Sequence, residues 1–218
     1  MSVKRITPPE IPEELFDISD DESFFLELFS REPFDASCIG HINASGKQLD
    51  GFSAWGCVIK NCRFNNTKAY KVEFYDTEFK NCDFSGCDMT EGIFKRCRFV
   101  NCKGVGVNFS RGSFMDVTFE RCVMEYVNFS ATRFDFTEFN ESNIKFGEMA
   151  SCVLRNTVFS ESNLARVNFA KTPLKGIDLT SCEIDGIMVS EGFSELKGAI
   201  VTSYQASELA VLLGLDIR

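Results

Sequence analysis

The sequence predicts an all-β fold, a repeat rod of stacked square coils with a C-terminal capping α-helix. Two observations predict the rod: an apolar residue at every fifth position from Ile59 to Val189, and a series of small residues two places before each of them. A third predicts the cap, because the register breaks after Val189 and gives way to SYQASELAVLLGL. A helix would repeat its apolar positions at three and four and a lone strand at two, so a period of five marks a repeat architecture.

The chain opens on an acidic N-terminal segment, residues 1–35, with ten acidic and three basic residues and a net charge of −7. Pro8, Pro9 and Pro12 precede the stretch SDDESFFLELF, where Ser19 and Glu22 stand at capping-box spacing. A short helix or an irregular lid over the first coil is the expectation. The β-solenoid proper is expected over 36–202, beginning with a degenerate coil at 36–56. There Ile39, Leu49 and Ile59 keep the phase, while Lys47 interrupts the small series.

Regular pentads run from 57 to 189 without insertion or deletion. Of the 27 large positions, 25 carry Phe, Leu, Ile, Met or Val, and 14 of the 23 phenylalanines lie among them. Nine of the ten cysteines fall in the small series, with Thr67, Val72 and Thr77. In extended chain, residues two apart point the same way, so each pentad sends one small and one large residue inward before it turns. Four turns close a coil of twenty residues, and nearly seven coils at ~4.8 Å give a rod on the order of 35 Å long. Ala69 underfills its inward position and Gly104 leaves it empty; either the rod bends near residue 104 or neighbouring Phe side chains fill the space. Pro173, one place before Leu174, removes an N–H that would bond between coils.

The pentads CDFSG (82–86), VNFSR (107–111), VNFSA (127–131), SNLAR (162–166) and VNFAK (167–171) resemble the pentapeptide-repeat family. The resemblance covers 57–189 and implies a right-handed quadrilateral β-helix. The ending LKGAIVTSYQASELAVLLGL further resembles that of the Qnr group of quinolone-resistance proteins within this family. That likeness implies a homodimer joined through C-terminal helices, and a rod that imitates duplex DNA. It implies binding to the type II topoisomerases DNA gyrase and topoisomerase IV, and their protection from fluoroquinolones. Many Qnr proteins carry two projecting loops that matter for protection; the unbroken register leaves them out, so no residue is carried over from them.

Residues 203–218 form the C-terminal helix and tail. Ser203 is the expected N-cap, and Tyr204, Leu209, Leu212 and Leu213 are the expected apolar face, serving either a dimer interface or a monomeric cap.

Composition argues against chemistry. The single histidine, His41, removes most acid–base and histidine-metal possibilities, and nucleophile elbows, phosphate-binding glycine loops and CxxC zinc spacings do not occur. Cys62, Cys82, Cys102, Cys122 and Cys182 differ by multiples of twenty and so share one side. A ladder spreads ligands along a line, which fits buried thiols rather than a metal site, and the start of the chain shows no secretory signal, so a cytoplasmic protein with reduced thiols is expected. No catalytic residue, cofactor or metal is assigned. A net charge of −9 argues against direct nucleic-acid binding, and no apolar stretch is long enough to span a membrane. The rod itself, 36–190, balances 18 acidic with 18 basic residues, and Lys60, Arg63, Lys68, Lys71, Lys95, Arg96 and Arg98 lie in its first half. Its one biased strip, Glu138, Glu141, Glu161 and Asp178, is either the partner-binding surface or a solvated face. The rival to topoisomerase binding is a structural or adaptor module with an unrelated protein partner.

Overall fold

The computed structural model describes residues 5–30, 32–212 and 214–215. It is a parallel β-solenoid of about seven turns with a helix at each end. After β1 (Phe16–Ile18) and α1 (Asp21–Ser30) come β2 (Phe34–Asp35), β3 (Ser37–Gly40), β4 (Ser53–Trp55) and β5 (Val58–Lys60). Five eight-residue strands follow: β6 (Glu73–Lys80), β7 (Ile93–Val100), β8 (Ser113–Glu120), β9 (Arg133–Asn140) and β10 (Val153–Ser160). The chain closes on α2 (Ser203–Val211).

The register is the predicted one, since Phe74 pairs with Phe94, Phe94 with Phe114 and Phe114 with Phe134. Each long strand covers two sides of the square. In β6 the first side carries Phe74 inward and the second Phe79, with Asp76 at the corner between them at φ 50°. The third and fourth sides, around Phe84 and Met89, pair only through single bridges at Asp83 and Asp88, and tight turns such as Cys87 N–H to Phe84 C=O at 2.9 Å bend them. The residue two places after each large position has positive φ from Asn61 to Gly176. The family pattern treats that place as free, yet the left-handed conformation costs a non-glycine residue roughly 1–2 kcal/mol. Asn and Gly tolerate it best, and Asn61, Asn66, Asn81, Gly86, Asn101 and Gly106 occupy it in the first coils.

The inward ladder is closely stacked, as in Phe79 over Phe99 with ring centroids 4.5 Å apart and Phe94 over Phe114 at 4.6 Å. Small inward residues meet carbonyls of the preceding coil: Thr132 Oγ1 donates to Phe109 C=O at 3.0 Å, and Cys82 Sγ to Ile59 C=O at 3.4 Å. All ten cysteines are free thiols, and burial pushes Cys97 up to about 12, which suits a filler and not a nucleophile. The ladder runs unbroken through Gly104, whose N–H donates to Val123 C=O at 2.8 Å. Its missing side chain leaves a cavity of about 10 Å³ among Phe84, Phe99 and Met124. Ala69 leaves one of about 10 Å³ among Phe64, Phe74 and Met89. Long strands stop after β10: Val153 N–H bonds to Thr132 C=O, and Pro173, one coil on, has no N–H to repeat the bond.

Both ends are covered. At the N-terminal end Phe24 of α1 is fully buried, stacked on Phe34 at 5.2 Å and edge-on to Phe52 at 5.7 Å. The N-cap is Asp20 and not Ser19: its carboxylate accepts the Ser23 N–H at 2.8 Å and hydroxyl at 2.7 Å, which holds its pKa below the usual range. Asp21 caps the first coil itself by accepting Asn43 N–H at 2.8 Å. Lys47 avoids the core and places its ammonium 5.8 Å from the Phe25 ring.

The residues before β1 lie lengthwise along the corner between the first and second sides. Pro12 packs beside Gly56, Glu10 N–H donates to Asp76 at 3.0 Å, and Thr7 N–H to Asp116 at 2.9 Å. The two bonds are three residues apart in the arm and two coils apart in the rod. Three residues of polyproline II chain rise ~9.3 Å and two coils ~9.6 Å, so arm and rod keep step, and Pro8 and Pro9 favour that extended conformation.

At the C-terminal end the N-cap of α2 is Thr202 and not Ser203, because Thr202 closes a capping box with Gln205 three residues on. Gln205 is buried; its Oε1 accepts Thr202 N–H, and its Nε2 donates to the last-coil carbonyls of Leu179 and Cys182, each at 2.8 Å. Glu195, 3% exposed, ties the irregular turn before α2 to the rod. Bonds from the Ser190 hydroxyl and from Lys171 N–H, the latter at 2.7 Å, pull its carboxyl down to about 2 against the cost of burial.

Three outcomes are expected. In Asp116→Ala, losing a bond to a charged acceptor speeds amide exchange at Thr7 by about tenfold, which hydrogen-exchange mass spectrometry reads. Gln205→Ala costs about 2 kcal/mol, and Gln205→Glu costs more because a carboxylate then faces two carbonyl oxygens; chemical denaturation ranks them. Glu195 has a folded pKa below its unfolded one, so it stabilises the fold above pH ~4.5 and that stability is lost as pH falls toward 2. Glu195→Gln is therefore less stable near neutrality, with a flatter melting temperature between pH 5 and 2.

Candidate protein-interaction surfaces

Ion pairing divides the rod into unequal halves. Among the described residues every salt bridge lies between residues 71 and 121. Several join a residue to its counterpart one coil away, as in Arg96 with Asp76, Arg98 with Glu78 at 3.2 Å and Arg111 with Glu91 at 3.0 Å. Arg98 also reaches Glu120 at 2.5 Å, and Glu120 takes Arg121. In the basic first half Lys71, Arg96 and Arg98 are thus paired at the rod's own surface, while Lys60, Arg63, Lys68 and Lys95 form no salt bridge with a described residue.

The second side beyond residue 121 is different. Its outward residues from 138 to 181 include Glu138, Glu141, Glu161 and Asp178 and no Lys or Arg. The four sequence-predicted carboxylates therefore share one side over three coils, and none forms a salt bridge with a described residue. Glu141 and Glu161 occupy left-handed corners, both at φ 48°, directly above one another at ~4.8 Å per coil. Arg121, one coil before Glu141 in the same column, turns to Glu120 and to Asn101, 3.1 Å away. Asp178 is fixed by the Thr180 hydroxyl at 2.6 Å and N–H at 2.9 Å, which keep its pKa low and the group ionised. Glu138 is half-buried between Thr118 and Val158. It lines a groove of about 1010 Å³ whose opposite wall is the arm from Arg5 to Pro9. The arm's place beside this strip gave no signal in the sequence, since its anchors lie 66 and 109 residues away.

The predicted α2 surface is only partly gathered. Tyr204 is 73% exposed and Leu212 is exposed, whereas Leu209 packs half-buried against its own rod. Leu213 lies outside the described residues. Val211 at 60%, Leu215, Ile200 and Met188 add exposed apolar surface at this end that the sequence reading missed. Met188 and Ile200 stand at outward places of the last coils, where an apolar residue was a readable sign. Tyr204 hydrogen-bonds Glu208, which raises the phenol's pKa.

Among the described residues no group of three or more His, Cys, Asp or Glu is placed to hold a metal ion, and no helix is long and apolar enough to cross a membrane. No curated protein sequence matches the chain significantly. Trypsin-treated QnrB1, a plasmid-mediated fluoroquinolone resistance protein, aligns with TM-score 0.49 and 20% identity over 83% of this chain and 99% of that one. Full-length QnrB1 aligns with TM-score 0.46 and 19% identity over 82% and 100%. HetL, a pentapeptide repeat protein involved in heterocyst differentiation regulation in the cyanobacterium Nostoc sp. strain PCC 7120, gives 0.26 and 12% over 82% and 96%. One family profile, the pentapeptide repeat region, matches residues 72–148, and a second, pentapeptide repeats, matches 54–86 and 149–182. Stacked pentads and profiles that together run from residue 54 to residue 182 agree: the chain belongs to the pentapeptide-repeat family.

Proposed function

We propose that this chain is a non-enzymatic, cytoplasmic binding protein that engages type II topoisomerases, DNA gyrase and topoisomerase IV, and protects them from fluoroquinolones. The observation that carries the reading is the strip of carboxylates on the second side, none of which forms a salt bridge with a described residue. Like charges stacked directly across a ladder destabilise it, so Glu141 over Glu161 costs the free rod stability that a cationic partner would return. A surface that binds duplex DNA is cationic, and a rigid rod edged with unpaired carboxylates is complementary to it. The Qnr-like ending adds support, because Gln205 within YQAS seats α2 on the last coil. With α2 seated, Tyr204, Val211 and Leu212 face outward where a second copy would pair. Two rods joined there would carry two acidic strips.

A supercoiling assay with gyrase and ciprofloxacin tests the reading. The protein at micromolar concentration is expected to restore supercoiling, and less effectively as salt rises. The quadruple variant Glu138→Gln, Glu141→Gln, Glu161→Gln, Asp178→Asn is expected to need about tenfold more protein. That is ~1.4 kcal/mol shared among four surface charges, within the range of surface ion pairs. Absence of both rescue and inhibition by the parent protein sinks the proposal.

A further inference from the structure

The end of the rod opposite α2 carries a second surface, built on α1. Phe24 faces the core, and Phe25 and Leu28 are half-buried. On the outer side Leu26 is 67% exposed and Phe29 is 78% exposed, three residues apart on one stripe of the helix. Beside them Leu28 and Phe29 border a hollow of about 520 Å³ whose floor is Phe34, Leu49 and Phe52, and whose rim includes Glu32 and Asp50. This surface offers two apolar side chains to a partner and room to receive one in return.

Charge selects the partner. Residues 13–35 contain nine acidic residues and one basic, Arg31. No salt bridge among the described residues involves that segment, and of the carboxylates around the stripe Asp20 and Asp21 are committed to capping bonds. A second copy would bring the same excess of negative charge, and anionic lipid and nucleic acid are repelled for the same reason. We propose that the α1 end binds a basic amphipathic helix of another protein. Leu26 and Phe29 pack against its apolar stripe, one large apolar side chain enters the hollow, and Lys or Arg residues flanking that stripe pair with Glu22, Glu27 and Glu32. This site is independent of the topoisomerase reading, which uses the second side of the rod.

The test uses the full chain and a fluorescent fourteen-residue amphipathic helical peptide of Leu and Lys, followed by anisotropy, with the matching Leu/Glu peptide as control. Micromolar binding of the Lys peptide and none of the Glu peptide are expected. Leu26→Ser with Phe29→Ser, and separately Glu27→Gln with Glu32→Gln, each weaken binding about tenfold or more, while Glu138→Gln with Glu161→Gln changes it less than twofold. Leu26, Phe29, Glu27 and Glu32 are exposed or at the rim, so the variants of the α1 end keep the parent's circular dichroism and melting. Equal loss in the Glu138/Glu161 variant, or none in the Leu26/Phe29 variant, overturns the site. Self-association of the parent that the Leu26/Phe29 variant abolishes, or tighter binding to phosphatidylserine vesicles than to the peptide, assigns the face to another occupant and overturns it too.

Discussion

Each coil takes its hydrogen-bond partners from the coils above and below, so the rod from Phe34 to Met188 rests on keeping each coil at twenty residues. With that count kept, identical positions lie over one another and the inward rings stack at the strand spacing. Phe79 to Phe99, Phe99 to Phe119 and Phe119 to Phe139 are 4.5, 4.8 and 4.8 Å apart between centroids. The same count forces a left-handed residue at every corner, a local cost that only the stacked neighbours can offset. A side chain missing at one inward place, as at Gly104, is tolerated because the backbone ladder on either side is intact. One residue added or removed within a pentad would turn all later inward residues out of the core.

Stacking also governs the charges. Residues twenty apart are neighbours, so an acid and a base at that interval neutralise each other, and two acids at that interval repel. Asp76 with Arg96 and Glu91 with Arg111 follow the first rule, Glu141 with Glu161 the second. A balanced total of 18 acidic and 18 basic residues in 36–190 thus conceals a rod whose salt bridges, among the described residues, all lie between 71 and 121, leaving the second-side carboxylates beyond them without one. The overall charge of −9 sits mostly elsewhere, around the N-terminal cap, where it bears on a different partner.

Most of the rod was legible because its information is periodic. The phase of the large residues, the filler role of the cysteines, the gaps at Ala69 and Gly104 and the inter-coil bond lost at Pro173 all follow from counting in fives. The corner rule was there to be read in the Asn and Gly of the fifth column, but a pattern that treats that place as free hides it. The pairing of Arg98 with Glu78 was likewise readable once the coil length was known. Cap positions were read one residue off at both ends, where two good acceptors stand side by side. Gln205 selects Thr202 over Ser203, and the Ser23 hydroxyl and N–H select Asp20 over Ser19. The arm's course was beyond reach, since nothing local to Thr7 or Glu10 names Asp116 or Asp76. The hollow beside α1 is assembled from residues up to about twenty-five apart and exists only once the helix is seated.

The arm has a further consequence as a length gauge. Its bonds at Thr7 and Glu10 match a span of two coils between Asp116 and Asp76, so it measures the rod as a vernier measures a scale. Repeat proteins evolve by gaining and losing whole repeats. A coil duplicated between those two anchors would leave the rod's own stacking satisfied and throw the arm out of step by about half its reach. Segments outside the repeat can therefore hold the copy number of a solenoid constant, even though each repeat, judged by its own contacts, has no means of knowing how many others there are.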